Sequence, residues 1–148
     1  MLVDLARNDL GRVCAPGTVR VADSMSVRRF SNVMHLVSEV EGRLERGRGA
    51  WDALAACFPA GTVSGAPKVR AMELIAALEK TPREFYSGVV VHSSPSGDLE
   101  SILTIRSLRL RGGVATIQAG AGIVADSRPE REYQEVLDKL AAIRRALA

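Results

Sequence analysis

Three strand-like runs follow one another between residues 86 and 118 with nothing but turns between them. Residues 86–92, 99–110 and 114–118 are rich in Val, Ile and Leu, and Pro95-Ser96-Gly97-Asp98 and Arg111-Gly112-Gly113 separate them. Connections this short join antiparallel neighbours, because a parallel crossover needs about a dozen residues or more. A further strand pattern covers residues 18–30, where Val19, Val21, Met25 and Val27 alternate with polar residues, and continues over 32–44. Helical spacing appears over residues 1–13, 50–57, 67–80 and from Pro129 to the end. Strand groups and helices are thus segregated, with no regular β-α-β alternation. The expected class is α+β, a largely antiparallel sheet with packed helices. No repeat or linker divides the chain, so a single domain is expected.

Charge and composition exclude several roles. Twenty basic residues against 17 acidic leave a net charge of +3, and no basic block with interleaved aromatics marks a nucleic-acid surface. No apolar run is long enough to span a bilayer. The reading is a soluble, cytoplasmic chain with no nucleic-acid or membrane partner. Cys14 and Cys57 lack metal-type spacing and read as reduced packing residues.

The segment FPAGTVSGAPKVRAM, residues 58–72, points to an anion. Gly61 and Gly65 permit tight bends and close approach of backbone to a ligand. Pro67 suits the first turn of a helix, whose unpaired N–H groups lie beside Lys68 and Arg70. It is not a nucleotide P-loop, since Ala66 and Pro67 separate the last glycine from Lys68 and no Ser or Thr follows that lysine. Gly120, Ala121 and Gly122 end a strand with side chains small enough to leave N–H groups open to a carboxylate or phosphate. In the closing helix Glu132, Glu135 and Lys139 share one face. They form either a solvated charged face or a carboxylate pair suited to Mg²⁺, which takes few carboxylates and completes its shell with water and ligand oxygens. Arg106, in an apolar run, needs either an internal ion pair or a carboxylate ligand. His35 stands alone on its strand.

In order along the chain, MLVDLARNDLGRV (1–13), VMHLVSEVEGRL (33–44), CFPAGTVSGAPKVRAMELI (57–75), TIRS (104–107) and QAGAGIVADSRPEREYQEVLDK (118–139) resemble the chorismate-utilising enzymes, and among them most closely the large subunits of anthranilate synthases. The resemblance implies a chorismate-binding fold, Mg²⁺ as cofactor and chorismate as substrate. It implies Glu132 and Glu135 at the metal, Arg106 and Lys139 toward substrate carboxylates, and Gly120, Ala121 and Gly122 as backbone donors to a carboxylate. Thr62 and Tyr86 would line the reacting ring, and His35 would assist departure of its hydroxyl. Ammonia would come from a glutamine amidotransferase subunit or domain. Residues 1–148 would be the C-terminal part of one chorismate-binding domain, inactive without the upstream half and its further metal-binding glutamate. Aminodeoxychorismate synthase shares most of these motifs, and a non-catalytic split-gene half is the other reading. The chain departs from the family pattern at Val91 and His92, where a Gly-aromatic pair is usual, and at Asp138, where Asn is common.

Overall fold

The computed structural model describes residues 1–29 and 34–146. The chain divides into two compact units, one of Met1–Gly61 with Ser93–Leu99, the other of Thr62–His92 with Glu100–Ala148. Helices and antiparallel strand pairs build both, as the segregated pattern requires. No helix among the described residues is long and apolar enough to cross a membrane.

In the first unit, helix α1 (Leu2–Gly11) packs against helix α2 (Ala50–Cys57) and against a long hairpin of β1 (Arg20–Arg29) and β2 (Met34–Glu41). The hairpin is antiparallel, with Arg20 opposite Glu41 and Arg28 opposite His35. Its register slips between Val21 and Ser26, where Met25 takes φ +53° and donates its N–H to the Ser38 hydroxyl at 2.9 Å. The core is small: Val13, Cys14 and Ala56 are buried, with Leu10, Val19 and Leu44 packed around them. Gly42 has a steric reason to be glycine, because a Cβ there would meet Cys14 Sγ at 2.8 Å. Helix α2 starts cleanly because the Asp52 carboxylate accepts the Gly49 N–H at 2.8 Å, satisfying one of the donors a helix start leaves open. The strand ends expected at Phe30 and Asn32, and Val33, lie outside the described residues.

The glycine segment is not a plain loop. Residues Gly61–Ser64 make one helical turn, α3, and α4 runs over Lys68–Leu78. Pro67 sits one residue before that helix, its carbonyl accepting the Ala71 N–H at 2.9 Å, rather than inside the first turn. Gly65 lies at φ +107°, a conformation glycine adopts without strain. The apolar stripe of α4, the face an amphipathic helix ordinarily buries, is present but largely uncovered. Val69, Met72, Leu74 and Leu78 are exposed, and only Ile75 of the stripe is partly covered.

The strand read over residues 99–110 is two strands. Pairing β3 (Val89–Ser93) with β4 (Leu99–Leu103) and β5 (Leu108–Arg111) with β6 (Val114–Ile117) leaves Thr104 to Ser107 between them as a break. Thr104 donates its N–H to Gly88 O at 3.0 Å and Ile105 folds back on Leu103 O at 2.9 Å. Arg106 then turns the chain at φ +50°. Ile102 and Ile105, members of the apolar run around Arg106, are exposed rather than buried. Helix α5 (Pro129–Ala146) closes the chain.

Candidate functional site

Most of the residues singled out above belong to the second unit. Tyr86 stands in a turn at the end of residues 83–86, closed by its N–H donating to Arg83 O at 2.9 Å. Two left-handed residues shape that turn, Glu84 at φ +47° and Ser87 at φ +66°. Such backbone is costly for residues with a Cβ and persists where neighbours hold it. The holding is visible. Ser87 donates its N–H to Thr104 O at 3.1 Å, and the buried Thr104 hydroxyl donates back to Phe85 O. The turn that carries Tyr86 is therefore laced to the strand end that leads into Arg106.

Across from it, the phenol lies against Gly120, where an added Cβ would stand 3.0 Å from Tyr86 Oη. Lys139, half-buried on α5, donates to Gly120 O at 2.9 Å and pairs with Glu135 Oε1 at 2.6 Å. An ammonium has three donors, so one remains for a ligand oxygen. Tyr86, Gly120, Lys139 and Glu135 thus form a connected set. Glu132 sits one turn earlier on the same helix face, and among the described residues its side chain has no hydrogen bond or ion pair. Ala121 and Glu132 share a cleft of about 380 Å³ walled by Ile123, Val124, Tyr133 and Val136. Tyr86 lines a different cavity, of about 240 Å³, with Thr104, Arg109 and Gln118.

The remaining expected residues take no part in these particular bonds. Thr62 is exposed on α3, Arg106 is exposed after its turn, and Gly122 has open space around it. His35 belongs to the first unit, on β2, and is half-buried. Among the described residues no group of three or more His, Cys, Asp or Glu side chains could hold a metal ion.

Sequence reading missed two side chains that organise this region. One is Thr104, which carried no signal beyond its place in TIRS. The other is Arg83, which lies just past the helical pattern of residues 67–80 and in none of the motifs above. Its guanidinium forks onto Glu79 at 2.8 and 2.5 Å, donates to Val63 O at 2.7 Å and to the Ser87 hydroxyl at 3.3 Å, and lies 5.7 Å from the Tyr86 ring centre. The fork holds the Glu79 carboxyl below its ordinary 4.5, and the same bond raises the Arg83 guanidinium above its ordinary value. The i, i+4 spacing of Glu79 and Arg83 was legible as a pair; the link to Val63, twenty residues away, was not.

Comparison with known proteins places these observations. A family model described as chorismate binding enzyme matches residues 1–145. The chain is 58% identical over 147 residues to anthranilate synthase component 1 of Spirochaeta aurantia, a match covering 99% of this chain and 30% of that protein. It superposes on the crystal structure of anthranilate synthase component I from Streptococcus pneumoniae TIGR4 with TM-score 0.89 and 50% identity, over 94% of this chain and 32% of that one. A Bacillus anthracis structure assigned as an isochorismate synthase gives TM-score 0.86 and 33% identity, over 99% and 39% of the respective chains. The chain thus spans about a third of the length of the relatives it matches.

Proposed function

The chain belongs to the chorismate-binding enzymes, and from that premise we propose that it is a catalytic portion of an anthranilate synthase component 1. The reaction would convert chorismate and ammonia to anthranilate, pyruvate and water, a step of tryptophan biosynthesis in the cytoplasm. The observation that carries this reading is the connected set of Tyr86, Gly120, Lys139 and Glu135, found in a chain 58% identical to a protein of that name.

In this reading Lys139 spends its open donor on one carboxylate of chorismate, while its bond to Gly120 O sets where that donor points. Arg106 meets the second carboxylate as a planar fork. The N–H groups of Gly120, Ala121 and Gly122 add donors that need no reorganisation as charge develops. Tyr86 and Thr62 border the ring, and His35 supplies or orients the proton for the departing hydroxyl. Ammonia adds at the ring carbon beside the carboxylate as that hydroxyl leaves as water, and loss of pyruvate then yields the aromatic amine. A glutamine amidotransferase supplies the ammonia.

Glu132 and Glu135 fit Mg²⁺ as a pair of hard oxygen donors that leaves positions for substrate and water. Lys139 pairs with Glu135 through Oε1, and the side chain of Glu132 carries no competing partner among the described residues. When bound, the ion would neutralise a substrate carboxylate as a Lewis acid. Two carboxylates from one helix make a weak site unaided, so the upstream part of the catalytic domain is expected to complete it.

Purified chain mixed with chorismate, Mg²⁺ and ammonium is expected to produce no fluorescent anthranilate. Adding the complementary two-thirds of the polypeptide should restore it, and Glu135→Gln should remove it again. Turnover by the 148-residue chain alone, near-normal activity of the Glu135→Gln variant, or accumulation of aminodeoxychorismate would overturn the reading.

A further inference from the structure

We propose that Arg83 is a positioning residue that couples the turn bearing Thr62 to the turn bearing Tyr86. The proposal rests on the reading that both side chains border the substrate ring, but the coupling itself is independent of that chemistry.

The geometry leaves the guanidinium little freedom. Its Nε and Nη2 grip the two oxygens of Glu79 at the end of α4, which fixes the plane of the group. Nη1 then reaches in two directions, to Val63 O beside Thr62 and to the Ser87 hydroxyl beside Tyr86. The face of the same cation lies over the Tyr86 ring, within the range of an attractive cation–π contact. One side chain, only 24% exposed, thereby touches three elements that are separate in sequence: the end of α4, the α3 turn and the strained turn of residues 84–87. Glu84 and Ser87 hold left-handed backbone in that last turn. A lysine could keep the charge, but a single ammonium cannot reproduce a planar fork with an outward arm. If Arg83 is lost, Val63 O and the Ser87 hydroxyl lose their shared donor together, so the two turns should loosen as a pair.

Hydrogen–deuterium exchange of the full 148-residue chain tests this. Arg83→Ala is expected to speed exchange at least tenfold in peptides covering residues 62–66 and 84–88, with the β5–β6 hairpin unchanged within twofold. Tens of millimolar guanidinium should restore both segments together, whereas sodium chloride at equal ionic strength should not. Arg83→Lys, which folds with the charge in place, should remain loose at both. Unchanged exchange in either segment, or equal acceleration everywhere, would overturn the coupling. Exchange needs no substrate, so a chain that proved to lack lyase chemistry would still answer this question. If the coupling holds but kcat in the reassembled enzyme is the same for the Arg83→Ala variant as for the parent, the positioning role is overturned while the assigned reaction stands.

Discussion

Replacing Thr104 by valine removes one hydroxyl from a side chain that is 4% exposed, with almost no change in shape. The hydroxyl donates to Phe85 O, whose other donor is the Gly88 N–H at a long 3.3 Å. Two costs follow. The bond itself is lost, about 1 kcal/mol net, and a largely dry carbonyl is left short of a donor, about 1–3 kcal/mol when nothing replaces it. The Gly88 bond recovers part of the second cost. The added methyl also presses on Phe85 O from a position that tolerates a hydroxyl only because it bonds. The sum is about 2 kcal/mol, or roughly a 30-fold change in the opening equilibrium. With a urea dependence of about 2 kcal/mol per molar, the midpoint should fall by about 1 M while the slope stays the same. Urea titration followed by far-ultraviolet circular dichroism measures both quantities. A midpoint within roughly 0.3 M of the parent, on the same scale, would refute the assignment of this hydroxyl as the clasp of the Tyr86 turn.

The two glycines after β6 should respond differently to alanine. At Gly120 the new Cβ stands 3.0 Å from Tyr86 Oη, and crowding of this kind lowers stability by about 1 kcal/mol or more. At Gly122 the space is open, so alanine should be neutral or gain a few tenths of a kcal/mol from the unfolded state; equal thermal shifts at the two positions would rule out the phenol contact. Glu79→Gln tests the fork on Arg83 through pH. The folded carboxyl titrates below its unfolded 4.5, so its contribution is present above that value and is lost as pH falls through the folded one. Arg83 stays charged throughout this range. The parent should therefore lose stability more steeply than the Glu79→Gln variant between about pH 5 and pH 3, and parallel slopes in acid denaturation would remove the ion pair from the account.

Periodicity revealed the elements whose signal is local. Helix α5 and the β5–β6 hairpin follow directly from a 3.6-residue stripe and an Arg111-Gly112-Gly113 turn. The break at Thr104 was hidden because Ile102, Leu103 and Ile105 read as one apolar strand, and no glycine announces the left-handed Arg106. The α3 turn was hidden for the opposite reason: two glycines around Thr62 made a helical turn look like a loop. Burial was the weakest inference. An amphipathic stripe says which face of α4 is apolar, but not that something in the same 148 residues will cover it. The family motifs named the candidate residues, whereas Arg83 and Thr104 emerge only from hydrogen bonds to backbone carbonyls about 20 residues away.

Among the described residues, those buried in the second unit are Ser64, Ser87 and Thr104, while Val69, Leu78, Ile102, Leu110 and Ile123 face outward. A surface with that distribution favours self-association, and any unfolded fraction is open to chaperones and proteases. Self-association through those side chains and digestion of the unfolded fraction both draw on the same exposed apolar surface. Replacing Val69 and Leu78 by polar residues should accordingly raise the concentration at which the purified 148-residue polypeptide self-associates, as light scattering would measure.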